Sequence, residues 1–316
     1  MVYYSLINMS DKLALQRHFL SSFKWLRKVK KKIISVPPFH VVPPTIQVEP
    51  TNYCNLSCIC CSAPRSVRKK GYMEFDLFKK IVDDASHIGV RKVSLFLHGE
   101  PLLHPEIIEM LRYIKTRNLC IELATNGLLF NKEQIDSVLK SGLRRDDTIR
   151  FSILGFSKEV HEAVQQGISH EVVLTNLTEF IEMRKKSGQK SPSTKITYYV
   201  IPENENEKDE FKRYWQGKVD FLSVGSASIK FREYKGSSTI LSPRKTYCRD
   251  FWNRMTIFWN GDVSMCCVDV DGDYVVGNLE KQTIKEIWNG SQMSALRKLH
   301  KERQFHKLPL CSNCDF

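Results

Sequence analysis

Thr45-Ile46-Gln47-Val48-Glu49-Pro50-Thr51-Asn52-Tyr53-Cys54-Asn55-Leu56-Ser57-Cys58-Ile59-Cys60-Cys61 decides the reading of this chain. An apolar, β-rich run at 45–48 feeds a loop in which Cys54, Cys58 and Cys61 have the spacing C-x3-C-x2-C. The loop offers three thiolates, not four. Thiolates are the ligands of iron–sulfur clusters, and a cubane has four irons, so three cysteines leave one iron open to a partner other than protein. An open iron points to chemistry rather than scaffolding. Structural zinc wants four closed ligands. No His or Cys at zinc-finger spacing completes this set, and adjacent Cys60 and Cys61 make a poor pair for one tetrahedral ion.

Outward from the loop, short β-rich runs at 45–48, 92–97, 119–124, 148–153, 195–200 and 219–224 alternate with helical patterns at 74–87, 105–117, 132–141, 171–186 and 205–215. Strands separated by helices call for an α/β fold with a parallel sheet and right-handed crossovers, here an open or closed (β/α) barrel. In such sheets ligands gather at the carboxyl ends of the strands. The cysteine loop follows the first strand, His98-Gly99-Glu100-Pro101 the second and Thr125-Asn126-Gly127 the third, while Ser152 closes the fourth. These features share one rim and define a single candidate site.

The alternation stops near residue 226, and 237–243 reads as a linker. Beyond it, Asn260-Gly261-Asp262 between two apolar runs is a hairpin signal, because Asn-Gly readily supplies positive φ. The second hairpin strand is expected to carry Cys266 and Cys267, and a helical stretch at 284–305 leads to Cys311-Ser312-Asn313-Cys314. Cys248, Cys266, Cys311 and Cys314 are four thiolates able to close a metal completely. On spacing alone they fit a zinc staple or an iron–sulfur cluster equally, and Cys267 could take the place of Cys266 because neighbours on a strand point to opposite faces.

The chain has 316 residues, 42% of them hydrophobic, enough for one large α/β domain with an appendage. No apolar run approaches the roughly 20 residues of a membrane span, and no secretory signal opens the chain, so the expected compartment is the cytoplasm. Ten cysteines in a reducing compartment read as ligands or catalytic groups rather than disulfides. The net charge of +13 is concentrated at the start, where residues 1–45 carry eight Lys or Arg against Asp11 alone. Leu15, Phe19, Phe23, Leu26, Val29 and Ile33 recur at helical spacing before Pro37-Pro38. Two readings stay open for this cationic helix: a membrane-surface or polyanion contact, or a helix packed on the main domain with a solvated basic face.

With these residues in hand, the chain resembles the radical S-adenosylmethionine (radical SAM) superfamily over roughly residues 45–316. The resemblance implies a partial (β/α)6 TIM-like barrel with a small C-terminal, cysteine-rich α+β module of the twitch or SPASM type. It divides the chain into a basic extension at 1–44, a core at 45–236 and an auxiliary-cluster domain at 237–316. Cys54, Cys58 and Cys61 match the ligands of the 4Fe–4S cluster whose open iron chelates S-adenosylmethionine. Gly99, Glu100 and Pro101 match the segment that contacts the methionyl amine, with His98 in place of its first glycine. Asn126 fits the motif ending the third strand, and Ser152 stands where the family often contacts the ribose. Cys248, Cys266, Cys311 and Cys314 match one auxiliary 4Fe–4S cluster, as in the shortened twitch type. Cys60 stands where an aromatic residue is usual before the last cysteine, and Leu154 where an acid is usual.

The resemblance implies reductive cleavage of S-adenosylmethionine to a 5'-deoxyadenosyl radical that takes hydrogen from an unactivated carbon. It also implies an electron donor such as flavodoxin or ferredoxin. Either the substrate radical is oxidised through the auxiliary cluster, or a thiol returns a hydrogen from the opposite face, for which Cys267 is the preferred candidate ahead of Cys60 and Cys120. Few residues precede the first strand, which tilts the expected substrate towards a small polar sugar, cyclitol or nucleotide-linked sugar over a ribosomally made peptide. A reading from another class, a zinc-stapled polyanion-binding module, leaves the cysteine loop and Gly99-Glu100-Pro101 without a use.

Overall fold

The computed structural model describes residues 39–186, 188, 191–226, 247–312 and 314. The cationic helix expected at 15–33, the Pro37-Pro38 stop and the linker at 237–243 lie outside these residues. The strands are β1 (Thr45–Val48), β2 (Ser57–Cys58), β3 (Lys92–Leu95), β4 (Cys120–Thr125), β5 (Thr148–Ser152), β6 (Gln165–Gln166), β7 (Ser193–Val200), β8 (Phe221–Ser226), β9 (Arg254–Ile257), β10 (Asp262–Ser264) and β11 (Val275–Asn278). Nine of them form one sheet in the order β11-β10-β9-β1-β3-β4-β5-β7-β8, parallel from β9 to β8. All six strands expected from the sequence are present.

Alternation explains how the sheet is covered. Ile46, Val48, Val93, Leu95, Ile121, Leu123, Ile149, Phe151, Ile196 and Tyr198 are fully buried and face the helices. Each such side chain stabilises the fold by roughly 1.5–3 kcal/mol. The helix Phe75–Ile88 answers them with Phe78, Ile81, Val82 and Ala85 on one face. It stops at Gly89, whose φ of 88° is the left-handed cap that glycine adopts without cost.

The intervening positions point into the concave side. There Lys195 of β7 feels the charges of Glu122 on β4, Arg150 on β5, Lys92 on β3 and Arg254 on β9, so five strands converge on one lumen. This is the partial barrel.

The C-terminal hairpin turns at Gly261, with φ 81°, as the Asn-Gly signal requires. Its first strand, β9, pairs in parallel with β1 from Thr45↔Arg254 to Val48↔Ile257, so the main sheet runs on into the C-terminal region. The second strand ends at Ser264, which corrects the expectation that it carries Cys266 and Cys267. Both cysteines lie in the turn that follows, and the argument from alternating strand faces does not apply to them. The helical stretch expected at 284–305 is two helices, Ile284–Asn289 and Ser291–Lys301, broken at Gly290. A β-carbon at Gly290 would stand 2.8 Å from the Glu286 carbonyl oxygen.

Candidate active site

The cysteine loop leaves the carboxyl end of β1 and is pinned at both ends. At its start, Asn52 Oδ1 accepts the Gly71 N–H (2.9 Å), Asn52 Nδ2 donates to the Lys69 carbonyl (2.9 Å) and Thr51 Oγ1 donates to the Gly71 carbonyl (2.7 Å). At its far end Cys58 pairs with Gln165 in a two-residue ladder, and the Ile59 N–H donates to the Val164 carbonyl (3.0 Å). Cys54 is exposed, and Cys58 and Cys61 are half-buried. Although Cys54 is exposed as a residue, the atoms packed around its sulfur desolvate it and raise the thiol to about 11, and burial with the neighbouring Cys60, Cys61 and Cys54 pushes Cys58 up further. Cys61 contributes to the shift of both Cys54 and Cys58, so the three cysteines lie near one another. A soft, all-sulfur donor set with one edge to solvent fits an iron–sulfur cluster, whose binding must displace the thiol protons.

Cys60 faces the other way. It is 1% exposed and packs with Leu154, Val164 and Ile201. The two positions at which the sequence departs from the family pattern, Cys60 and Leu154, therefore meet in one apolar cluster.

Gly99, Glu100 and Pro101 lie against the base of this loop. A β-carbon on Gly99 would stand 2.2 Å from the Thr51 carbonyl oxygen, so only glycine permits the approach. The Glu100 N–H donates to the Tyr53 carbonyl (2.8 Å), and its buried carboxylate accepts the N–H groups of Asn126 (2.8 Å) and Leu102 (3.2 Å). Burial raises this carboxyl to about 7 against the pull of those donors. Asn126 Nδ2 donates to Asn55 Oδ1 (2.8 Å), which joins the end of β4 to the cysteine loop. Ser152 is half-buried at the end of β5, and its carbonyl accepts from Gln165 Nε2 (3.2 Å). The structure thus brings Cys54, Cys58, Cys61, Gly99, Glu100, Asn126 and Ser152 to one rim.

Gln165 was not foreseen. Its Oε1 accepts the Leu154 N–H (2.8 Å) and lies 3.0 Å from Nε2 of the buried His161, while its backbone carries Cys58. The short helix Lys158–Val164 that delivers it offers little sequence period to find.

The second cysteine set walls a small cavity of about 20 Å³, lined by Cys248, Cys266, Cys267, Cys311 and Cys314 with Phe251, Met265 and Leu310 among others. Five thiols around an otherwise largely apolar space fit a fully ligated iron–sulfur cluster with one sulfur to spare. Cys266 is raised well above the usual thiol range, first by its hydrogen bond with Cys267 and then by burial. Cys267 is 6% exposed and faces this cavity. Cys120 begins β4, at the end of the strand away from the cysteine loop.

A strap connects the two cysteine sites. Arg68 makes a two-pronged ion pair with the buried Glu49 (2.8 and 2.9 Å) and stacks over Phe258 at 3.9 Å, and its Nε donates to the Val270 carbonyl (2.8 Å). Ser66 Oγ donates to the same carbonyl (2.9 Å) and the Val67 N–H to Asp271 Oδ1 (2.9 Å). Buried Asp269 shapes the turn after Cys267 by accepting from Ser264 Oγ (2.6 Å) and from the N–H groups of Asp273 and Tyr274 (3.0 Å each).

Residues 48–214 match the profile of the Radical SAM superfamily, and residues 248–315 that of SPASM, an iron–sulfur cluster-binding domain. The tungsten-containing aldehyde ferredoxin oxidoreductase cofactor-modifying protein of Pyrococcus furiosus is 22% identical, over 85% of this chain and 86% of its own. Among solved structures, BtrN in complex with AdoMet and 2-DOIA superposes with a TM-score of 0.59 at 19% identity, covering 87% of this chain and 94% of its own. SuiB of Streptococcus suis bound to precursor peptide SuiA gives 0.60 at 16% identity, covering 94% of this chain and 73% of its own. At these identities the two structures share a fold with this chain.

Proposed function

Because this chain belongs to the radical SAM superfamily and carries a SPASM iron–sulfur domain, we propose that it is an oxidoreductase acting on an unactivated carbon of a sugar, cyclitol or nucleotide-linked sugar. In this reading Cys54, Cys58 and Cys61 hold the first 4Fe–4S cluster, and Cys248, Cys266, Cys311 and Cys314 hold one auxiliary cluster. Residues 1–44, 45–236 and 237–316 are its extension, core and auxiliary domain. When bound, S-adenosylmethionine and the clusters supply the 5'-deoxyadenosyl radical that abstracts hydrogen and the acceptor for the electron left on the substrate, a net two-electron oxidation.

The chain's own residues bind and orient. Gly99 lets the backbone of 99–101 lie close beside the cysteine loop, where it would hold the methionyl amine. Glu100 fixes the end of β4 through the Asn126 N–H, Asn126 holds the cysteine loop through Asn55, and Ser152 is offered to the ribose. Holding the target carbon beside the radical and keeping water away is the protein's share of the rate. A flavodoxin or ferredoxin delivers the electron, and the cytoplasm is the compartment in which the thiols stay reduced. Among the described residues no helix is long and apolar enough to cross a membrane.

The observation that carries the two-electron oxidation is the five-thiol cavity, because full protein ligation leaves the auxiliary cluster only electrons to exchange. The polar lumen, lined by Gln47, Ser94, Arg150 and Thr197, supports the small polar substrate. Peptide maturation is the second reading, favoured by the likeness to SuiB with its precursor peptide.

The test is anaerobic purification, a count of iron, sulfide and zinc, and assay of 5'-deoxyadenosine formation against cyclitols, sugars and short peptides. About eight irons per chain and an oxidised cyclitol or sugar are expected. Turnover of peptides alone replaces the first reading with the second. Four irons and one zinc remove the electron acceptor and favour epimerisation, with Cys267 returning the hydrogen.

A further inference from the structure

The lumen below the candidate site holds more positive charge than its own residues neutralise. Lys92 Nζ lies 2.8 Å from Glu122 Oε2, and Arg150 lies 3.3 Å from Glu122 Oε1. Arg254 has its own acid, Asp250, at 3.3 Å. Lys195 has no carboxylate within ion-pair distance among the described residues, yet it is the direct cross-strand neighbour of Arg150. Like charges directly opposite on paired strands destabilise a sheet unless something negative lies between them. Burial and the nearby Arg150, Lys92 and Arg254 lower the pKa of Lys195, while Glu122 opposes the shift.

Other donors on the same face of the sheet also lack partners. Ser94 Oγ, Thr197 Oγ1 and Arg150 Nε are buried with no hydrogen-bond partner among the described residues, and Ser94 and Thr197 are 0% and 4% exposed. Buried polar groups are nearly always hydrogen-bonded, so unpartnered donors on the face that carries an unneutralised cation call for a ligand. Phe96 holds the guanidinium of Arg150 in place, with its ring centroid 3.9 Å from Cζ. Two hydroxyls, a guanidinium edge and an ammonium are the donors that recognise an oxyanion.

We infer that Arg150 and Lys195, flanked by Ser94 and Thr197, bind an anionic group of the substrate, a phosphate or a carboxylate. This deepens the small-substrate reading above and rests on it. Arg150 and Lys195 sit two residues below Ser152 and Thr197, about 7 Å down the strands. An anion anchored there leaves the remainder of a sugar-sized molecule at the rim, beside the cysteine loop. The anchor therefore favours a phosphorylated or carboxylated metabolite over a neutral sugar.

The test is equilibrium dialysis of radiolabelled inorganic phosphate against the anaerobic holoenzyme, with acetate as competitor. Stoichiometric binding is expected. Lys195→Gln and Arg150→Gln should each weaken it by about tenfold or more, the scale of one charged hydrogen bond. Lys195→Arg should keep it, and Glu122→Gln should tighten it by removing the competing carboxylate. Lys158→Gln, on the surface, is the control that should bind as wild type does. Iron content reports the integrity of each variant. Displacement by equimolar acetate identifies the carboxylate as the ligand, and resistance to acetate identifies the phosphate. Phosphate binding that is absent, or equal in wild type, Lys195→Gln and Glu122→Gln, overturns the inference. Failure of the wild type to cleave S-adenosylmethionine would instead overturn the oxidoreductase reading, so the two failures are told apart.

Discussion

The loop after β1 and the cavity near the C-terminus are both built from cysteine, and they differ in what surrounds the sulfur. In the loop, Cys54 is exposed and its partners half-buried, and polar groups from 99–101, Asn126 and Ser152 stand close by. In the cavity, four of five thiols are buried, and Phe251, Met265 and Leu310 fill the gaps. The first group has three thiols and an edge open to solvent at Cys54, whereas the second has five thiols around a small, largely enclosed space. On the proposed function, the number of sulfurs and the exposure of one edge give chemistry to the loop and electron transfer to the cavity.

The largest expected effect tests the loop. Cys54→Ala, Cys58→Ala or Cys61→Ala should lower S-adenosylmethionine cleavage by more than about 100-fold, beyond what loss of an outer-shell partner costs. Cleavage persisting in any of the three would erase the contrast between the sites. In the cavity, Cys248→Ala or Cys311→Ala should cut iron from about eight to about four per chain and stop product formation, while uncoupled cleavage survives. Because Cys266 and Cys267 share the cavity, either single alanine variant should retain the second cluster and the double variant should lose it. Iron analysis would locate the spare sulfur elsewhere if one single variant alone emptied the site.

Between the two sites, Arg68→Ala should leave the buried Glu49 carboxylate unpaired and cost about 3 kcal/mol in denaturant unfolding. A change below 1 kcal/mol would show that solvent replaces the strap. The smallest effect concerns Glu100. Its carboxyl is raised to about 7, so the folded state holds that proton more tightly than the unfolded state does. This contribution to stability is complete below the unfolded value and is lost as pH rises through 7. Glu100→Gln should flatten that loss in thermal melts of the unloaded protein, and an unchanged pH profile would assign the dependence to another group.

Much of the scaffold was legible because it repeats. Alternating apolar and aromatic residues in 45–48, 148–153 and 195–200 marked strands to within a residue or two of their ends, and cysteine spacing marked both clusters of thiols. What was missed depends on contacts distant in sequence. The union of β9 with β1 spans some two hundred residues and leaves no local period, and β2 with β6 is two residues on each side. The turn set by Asp269 carries Cys266 and Cys267 off the strand that alternation assigned them. The lumen was hidden for a different reason. Lys92, Glu122, Arg150 and Lys195 alternate with apolar residues as the solvent face of an ordinary sheet would, and only closure of the barrel turns that face inward.

The strap from Glu49 through Arg68 to Val270 has a bearing on how the protein is assembled and damaged. If each site takes a cluster as proposed, a connection that orders both ends would make iron uptake at the two sites reciprocal, since whatever the first cluster gained from a fixed neighbour the second would gain equally. On the proposed assignment, loss of iron from the cavity is expected to loosen the cysteine loop after β1.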